Sequence, residues 1–199
     1  MKMEDLIVQI KERLPAIDSG GRLVIGIDGM SRSGKTTLTA KLVEHYKREN
    51  IQAISFHLDD LIVERERRYG TGEEEWYEYY QLQWETDWLR DHFFTRLKIA
   101  EELTLPFYNG EADRRENRKV ALPEFCIIII EGVFLQRREW RGYCDYVIYI
   151  DSSKQQRIER EAAIVRQNLV KFKNRYWKAE NHYLKSQNPQ SHADIIVRN

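Results

Sequence analysis

The chain has 199 residues, enough for one domain with its own core, and its 32 basic residues balance 32 acidic ones. A net charge of zero argues against binding nucleic acid or an anionic membrane surface through bulk electrostatics. The two cysteines suit a reducing compartment, and no stretch has the character of a signal peptide or a membrane span. We therefore expect a single cytoplasmic domain over residues 1–199.

The first quarter of the chain alternates helical and strand patterns. Apolar residues at helical spacing predict a helix over residues 3–14, which Pro15 ends. An apolar run predicts a strand over 22–28, followed by a glycine-rich turn and a helix over 35–49. A second short strand is expected at 51–57.

The rest of the chain continues this alternation around a charged, aromatic segment at 61–100, whose aromatic spacing favours core packing. Residues 103–122 are typical of a hairpin, because the dipeptide Asn109-Gly110 favours turns. The spaced side chains of the aromatic segment are Trp76, Tyr80, Trp84, Trp88 and Leu89. Three apolar runs predict further strands at 126–132, 145–151 and 193–197. The alternation predicts an α/β sandwich with a mostly parallel sheet, whose strands end at one ligand-binding edge.

The sharpest motif is GMSRSGKTT, which fits the phosphate-binding pattern G-x-x-x-x-G-K-[ST] between the predicted strand and helix. The glycines let successive N–H groups point at phosphate oxygens, beside the positive end of the helix dipole. Lys35 is expected to reach the β- and γ-phosphates and Thr36 to ligate Mg²⁺. The residues expected to bind ATP here are Gly29, Met30, Ser31, Arg32, Ser33, Gly34, Lys35, Thr36 and Thr37.

Several classes of nucleotide-binding protein fit the rest of the chain poorly. No guanine-specific N-K-x-D sequence is present, which argues against a regulatory GTPase. Motor and transporter ATPases usually have longer chains and additional domains. The length therefore favours a kinase that acts on a small molecule.

Two acids lie at the C-terminal ends of predicted strands, on the edge that holds the phosphate-binding loop. Glu131 is the candidate for holding Mg²⁺ together with Thr36, and Asp59 for accepting the proton of the attacking hydroxyl. Structural alternatives are a capping or ion-pair role for Glu131 and a turn role for Asp59. The adjacent Asp60 is expected to cap a following helix.

Taken together, the segments IGIDGMSRSGKTTL, HLDDLI, LPFYN, IIIIEGVFL, YVIYIDSSKQQRIERE and ADIIV resemble the uridine kinase-like group of P-loop kinases. That group also contains phosphoribulokinase and nicotinamide riboside kinase. The resemblance covers most of the chain and implies a five-stranded parallel sheet of order 2-3-1-4-5 with a mobile lid. By position it also implies that Asp59 is the proton acceptor and that Glu131 helps to bind magnesium.

The resemblance implies a lid over about 157–180, in which arginines on a helix at 153–167 clamp the phosphates. Arg157 and Arg160 are the candidates for this role, with Arg166 a weaker one, and a solvated basic face is the alternative. Arg175 is expected to lie on the lid surface.

The predicted substrate-binding insertion, about 61–122, departs from the family pattern. Tyr108 matches the pyrimidine-binding tyrosine, but Asp113 stands where the family has histidine, and Asp87 is the only obvious acid in the ribose-binding segment. The sequence thus predicts an ATP- and Mg²⁺-dependent kinase acting on a nucleoside or related metabolite. A kinase for a non-nucleoside metabolite and a non-catalytic ATP sensor are the alternatives. Monomer and homodimer are both open.

Overall fold

A computed structural model gives the fold and describes residues 3–12, 21–160, 170 and 172–198. Helices cover both faces of a central parallel sheet, which makes a three-layer α/β sandwich. Within those ranges, no helix is both long and apolar enough to cross a membrane.

The strands lie where the apolar runs predict them. In chain order they are β1 (Arg22–Gly29), β2 (Ala53–His57), β3 (Glu102–Asn109), β4 (Arg114–Ala121), β5 (Cys126–Gly132), β6 (Tyr146–Asp151) and β7 (Ile195–Arg198). The central sheet is parallel throughout and has the order β2-β5-β1-β6-β7. Counting only its five strands gives 2-3-1-4-5, so the predicted topology is confirmed.

The helices are shorter than several of the predicted segments. In chain order they are α1 (Met3–Lys11), α2 (Lys35–Arg48), α3 (Glu75–Gln81), α4 (Thr86–His92), α5 (Lys154–Glu159) and α6 (Lys178–Gln187). A π-helical turn, Phe172–Trp177, runs into α6. Short 3₁₀ helices occupy Leu58–Leu61, Arg65–Arg67, Phe94–Arg96 and Pro189–His192.

The isoleucine run of β5 explains why both faces of the sheet are covered. Successive side chains of a strand point to opposite faces, so Ile127 and Ile129 join one core while Ile128 and Ile130 join the other. All four are fully buried. One face packs on α1 and α2, and the other packs on the segment between β2 and β3.

The core role predicted for the aromatic segment is confirmed. Tyr80, Trp84 and Leu89 are buried, and Trp76 and Trp88 are half-buried against the same cluster. The rings meet mostly edge to face, as in the contact between Trp84 and Trp140, whose centroids are 5.7 Å apart. This aromatic cluster packs the segment between β2 and β3 against the sheet.

The predicted hairpin is also present, formed by β3 and β4. Its turn has four residues, Gly110 to Asp113, because Asn109 pairs with Arg114 and closes the ladder. The Asn109 side chain accepts hydrogen bonds from the amides of Glu111 and Ala112, which stabilises the turn.

Two local predictions need correction. Asp60 does not cap a helix: it lies with Asp59 inside the 3₁₀ helix Leu58–Leu61, and the chain is extended at Ile62. The helix predicted over 3–14 ends at Lys11, and residues 13–20 lie outside the described ranges.

The helix predicted at 153–167 begins as expected, but α5 ends at Glu159, where Arg160 is its C-cap. Ser153 begins α5 with a reciprocal capping box to Gln156, and helix geometry continues to Glu159. Residues 161–169, including Arg166, lie outside the described ranges.

Arg22 attaches the insertion to the start of β1. Its buried guanidinium donates to four main-chain carbonyls at 2.6 to 2.9 Å. The accepting carbonyls belong to Leu97, Ala100, Leu122 and Pro123. The two ends of the segment that follows α4 are thereby held together.

We predict that Arg22→Met lowers the free energy of unfolding by about 3 kcal/mol, because it leaves buried carbonyls without donors. Urea unfolding monitored by circular dichroism measures the loss. Arg48→Met, at an exposed arginine, is the matched control and should change little. Equal losses in the two variants would contradict the anchoring role.

Candidate active site

The phosphate-binding loop joins β1 to α2 with a backbone that requires glycine. Gly34 has φ +103° and Gly29 has φ +149°. A Cβ atom on Gly29 would lie 2.7 Å from the carbonyl oxygen of Ile150, so no other residue fits there without a shift. The loop therefore delivers its amides to the N-terminus of α2, the expected phosphate position.

Lys35, the first residue of α2, is buried beneath this loop. Its Nζ donates to the carbonyl oxygen of Met30 at 3.0 Å. Burial lowers the pKa of Lys35, while the nearby carboxylates of Glu131 and Asp59 oppose that shift. The amine is thus held beside the loop, where it can bind phosphate oxygens.

Thr36 and Glu131, the two residues predicted to hold magnesium, are hydrogen-bonded to each other. Glu131 Oε1 accepts hydrogen bonds from Thr36 Oγ1 and His57 Nδ1, each at 2.7 Å. Burial would raise the pKa of Glu131, but these bonds and the charge of Lys35 lower it overall, so the carboxylate is ionised. The bond to Glu131 in turn raises the pKa of His57.

The donor set fits Mg²⁺ bound jointly by protein and nucleotide. Among the described residues, no group of three or more His, Cys, Asp or Glu side chains could hold a metal by itself. A hydroxyl and a carboxylate at the foot of a phosphate-binding loop suit Mg²⁺, which keeps waters and takes other ligands from phosphates. Thr36 and Glu131 would hold the ion in this way.

Asp59 lies in the 3₁₀ helix after β2 and faces the cavity above the loop. Its side chain is exposed to the cavity, yet the surrounding protein removes enough water to raise the pKa of its carboxyl. Lys35 lowers that pKa, whereas Glu131 raises it. A carboxylate with a raised pKa is suited to accepting a proton.

These groups open into one cavity of about 970 Å³, large enough for a nucleotide and a second small molecule. The lining residues come from the phosphate-binding loop, the segment between β2 and β3, the end of β5, the end of α5 and the π-helical turn. The described lining residues are Ser31, Arg32, Gly34, Lys35, Thr36, Thr37, Asp59, Ile62, Tyr69, Tyr79, Gln83, Glu131, Val133, Arg160, Phe172 and Tyr176.

The sequence analysis missed the aromatic wall of this cavity. Tyr79 bonds through its hydroxyl to Ser31 Oγ at 3.0 Å, and its ring meets Tyr176 edge to face, with centroids 4.9 Å apart. Phe172 packs against Tyr176 in turn. Aromatic residues at helical spacing give the same sequence pattern whether they face a core or a cavity. Only the folded structure shows that Tyr79 faces the cavity.

The candidate lid arginines have different surroundings. Arg160 lines the cavity and donates to the carbonyl of Arg32 at 2.9 Å. Arg157 is buried, and both its terminal nitrogens bind the carboxylate of Glu180 at 2.7 and 3.0 Å. A phosphate-clamping role therefore fits the geometry of Arg160 better, and both roles stay predictions.

Arg175 is not on the lid surface, contrary to the prediction. It is buried and donates to Glu78 at 2.9 Å and to the carbonyl of Arg68 at 3.0 Å. Its guanidinium also lies over the Tyr69 ring, 4.0 Å from the centroid. Arg175 therefore holds the π-helical turn against the insertion.

The three remaining candidate substrate residues do not line the cavity. Tyr108 donates its hydroxyl proton to Asp113 at 2.7 Å, within the hairpin. Asp87 lies exposed in the first turn of α4 and pairs with Arg90. Their assignment to substrate binding stays a prediction, and the structure does not bring them to Asp59.

Two buried carboxylates, Asp28 of β1 and Glu180 of α6, connect helix α6 to the phosphate-binding loop. Buried Asp28 accepts hydrogen bonds from Tyr183 at 2.6 Å, from Gln136 at 2.9 Å and from the Gly29 amide at 2.8 Å. Burial raises the pKa of Asp28, although these bonds oppose the shift. Glu180 accepts from the Ser31 amide at 3.2 Å while it binds Arg157.

Comparison with known proteins places these features in a wider group. The sequence model of the Phosphoribulokinase / Uridine kinase family matches residues 24–199. Uridine kinases of Anoxybacillus flavithermus and Bacillus subtilis are 28% identical to this chain over 142 residues. The match covers 69% of this chain and 64% of each relative. The chain therefore matches less than two thirds of the length of these uridine kinases.

Solved structures extend the similarity to the whole fold. A "possible uridine kinase" from Bacillus stearothermophilus is 46% identical, with a TM-score of 0.82 over 99% of this chain and 100% of its own. A D-glycerate 3-kinase from Cryptococcus neoformans has a TM-score of 0.57 over 95% of this chain and 87% of its own. At 11% identity, the second likeness shows the fold alone.

We predict that Glu180→Leu lowers the free energy of unfolding by about 3–5 kcal/mol, because it leaves the buried guanidinium of Arg157 unpaired. Urea unfolding provides the measurement. Glu74→Leu is the matched control, since Glu74 pairs with Lys178 in an exposed position, where an ion pair contributes little. A loss for Glu180→Leu no larger than for the control would refute the prediction.

Proposed function

Because the chain belongs to the phosphoribulokinase/uridine kinase family, we propose that it transfers the γ-phosphoryl group of ATP to a hydroxyl of a small metabolite in a Mg²⁺-dependent reaction. One observation carries the proposal: Asp59, Lys35 and Glu131 face the same cavity beside the phosphate-binding loop. A protein that only bound ATP would not need a carboxylate poised to accept a proton.

Different residues of the chain have different roles in the proposed reaction. The loop amides and Lys35 bind and orient the phosphates, while Thr36 and Glu131 hold the metal. Mg²⁺, when bound, neutralises charge on the phosphate oxygens during transfer. His57 orients Glu131 through its hydrogen bond. Arg160 is in place to add positive charge from the lid side of the cavity.

Asp59 accepts the proton of the attacking hydroxyl in this scheme. Its raised pKa brings it closer to the working range of a general base than an ordinary aspartate. The positive charge of Lys35 opposes this rise in the pKa of Asp59. The acceptor therefore binds between Asp59 and the aromatic wall.

A nucleoside and a non-nucleoside metabolite are both candidates for the acceptor. The similarity to uridine kinases supports the nucleoside. The position of Tyr108 and Asp113 outside the cavity favours a departure from pyrimidine binding as the family pattern describes it. An ATP sensor remains the alternative of another class, which the following experiment distinguishes.

We predict that Asp59→Asn lowers kcat for transfer by about 10²–10⁴-fold and leaves ATP affinity nearly unchanged, because it removes only the proton acceptor. ADP release in the presence of an acceptor pool measures turnover, and calorimetry measures ATP binding. Asp60→Asn is the matched control, since the neighbouring acid does not line the cavity. Full activity in Asp59→Asn would remove this residue from its role, and no turnover by the unaltered protein would favour the sensor.

We predict that Thr36→Val raises the Mg²⁺ concentration needed for half-maximal activity by about tenfold, because the metal loses a hydroxyl ligand. Activity against Mg²⁺ at saturating ATP is the measurement. Thr39→Val is the matched control: its hydroxyl lies buried on the same helix with no hydrogen-bond partner among the described residues. The same Mg²⁺ dependence in both variants would contradict a metal-binding role for Thr36.

A further inference from the structure

The three polar groups of Ser31, inside the phosphate-binding loop, bond to three different elements. Its amide donates to Glu180 of α6 at 3.2 Å, and its carbonyl accepts from Arg157 of α5 at 3.1 Å. Its hydroxyl bonds to the hydroxyl of Tyr79 at 3.0 Å. Because Tyr79 belongs to α3, this third bond is a direct polar link between the insertion and the loop.

The side chain of Tyr79 is itself held in place. It is buried, and its ring meets the rings of Phe134 and Tyr176 edge to face, with centroids 5.3 and 4.9 Å away. Burial and the nearby charge of Asp59 raise the pKa of Tyr79 well above its ordinary value, so the phenol keeps its proton at neutral pH. A protonated phenol fixed by its neighbours can hold one stable hydrogen bond to Ser31.

The same stretch of the insertion also holds the segment that carries Asp59. Trp84 is buried and donates its indole N–H to the carbonyl of Leu58 at 2.7 Å. Leu58 and Asp59 are adjacent in the 3₁₀ helix that follows β2. One short stretch, from Tyr79 to Trp84, therefore bonds the phosphate-binding loop at one end and the proton-acceptor segment at the other.

This connection affects the distance between Asp59 and the phosphates. Asp59 follows β2 and the loop follows β1, and these strands are not neighbours, since β5 lies between them. In a transfer reaction, a misplacement of about 1 Å can lower the rate about 10²-fold. A side-chain bond from the insertion to the loop fixes this distance more directly than the sheet does.

We propose that Tyr79 is a positioning residue of the phosphoryl transfer, whose hydroxyl holds Ser31, and with it the phosphate-binding loop, in place relative to Asp59. This inference rests on the proposed function, since the distance that Tyr79 sets is the one between the proton acceptor and the phosphates. It requires no contact between the Tyr79 hydroxyl and the phosphoryl acceptor.

The first test is a double-mutant cycle in the full chain with Mg²⁺-ATP and four acceptor probes, namely uridine, cytidine, ribulose 5-phosphate and glycerate. For a probe that is phosphorylated, we expect Tyr79→Phe, which keeps the ring, to lower kcat about tenfold and leave the acceptor KM unchanged. Ser31→Ala should cause the same loss, and the double variant should lose nothing further, because both changes remove one bond. Tyr80→Phe is the matched control, since this buried neighbour on α3 does not line the cavity.

Three kinetic results overturn the inference. The first is an unchanged kcat in Tyr79→Phe, even where urea unfolding shows lower stability, because the bond would then be purely structural. The second is a pair of losses that multiply in the double variant. The third is a raised acceptor KM with an unchanged kcat, which would assign the Tyr79 hydroxyl to acceptor binding.

Amide hydrogen exchange with the β,γ-imido analogue of ATP, without an acceptor, separates failure of this inference from failure of the proposed function. In the unaltered protein, we expect the nucleotide to slow exchange both in the loop, residues 29–37, and in α3. In Tyr79→Phe the loop should still be protected, while the slowing of exchange in α3 should fall about tenfold.

Each outcome of the exchange experiment is decisive. If both segments are protected but no probe is phosphorylated, the kinase proposal fails, and the loss of α3 protection in Tyr79→Phe still supports the positioning of the loop by Tyr79. Protection of the loop without α3 in the unaltered protein, or equal protection of α3 in Tyr79→Phe, overturns the inference. Protection of neither segment refutes both proposals.

Discussion

The structure depends on the way α6 holds the phosphate-binding loop. Tyr183 binds the carboxylate of Asp28, at the end of β1, and Glu180 binds the amide of Ser31 inside the loop. Both carboxylates are buried, and a carboxylate in that setting is tolerated only when hydrogen bonds satisfy it. The loop therefore keeps its phosphate-binding shape through contacts with a distant part of the chain as well as through its glycines.

The same helix connects the loop to the lid. Glu180 also binds Arg157, whose α5 begins the lid, and the π-helical turn that runs into α6 carries Phe172 and Tyr176 to the cavity wall. Arg157 and Arg160 also bond the loop directly, because they donate to the carbonyls of Ser31 at 3.1 Å and Arg32 at 2.9 Å. Ser31 thus contacts the insertion through its hydroxyl, which bonds to Tyr79, and α6 through its amide, which donates to Glu180.

Much of the architecture could be predicted because its signals are local. The isoleucine run of β5, the glycine pattern of the loop and the strand ends that carry Asp59 and Glu131 all have short-range signatures. The sheet order came from family resemblance, and the fold confirms it.

The remaining residues depend on tertiary contacts that no local pattern encodes. Asp60 looked like a helix cap because acids often precede helices, yet a 3₁₀ turn includes it. Arg175 was predicted to be a surface residue. Its charge can be buried only because it pairs with Glu78, a residue far away in sequence.

The anchor formed by Arg22 has a consequence for how this scaffold can diversify. Because every hydrogen bond described for the guanidinium goes to a main-chain carbonyl, the attachment of the insertion does not depend on which side chains that segment carries. Side-chain substitutions in the insertion therefore leave this joint intact. The composition of the insertion can change by mutation while its attachment to β1 stays unaltered.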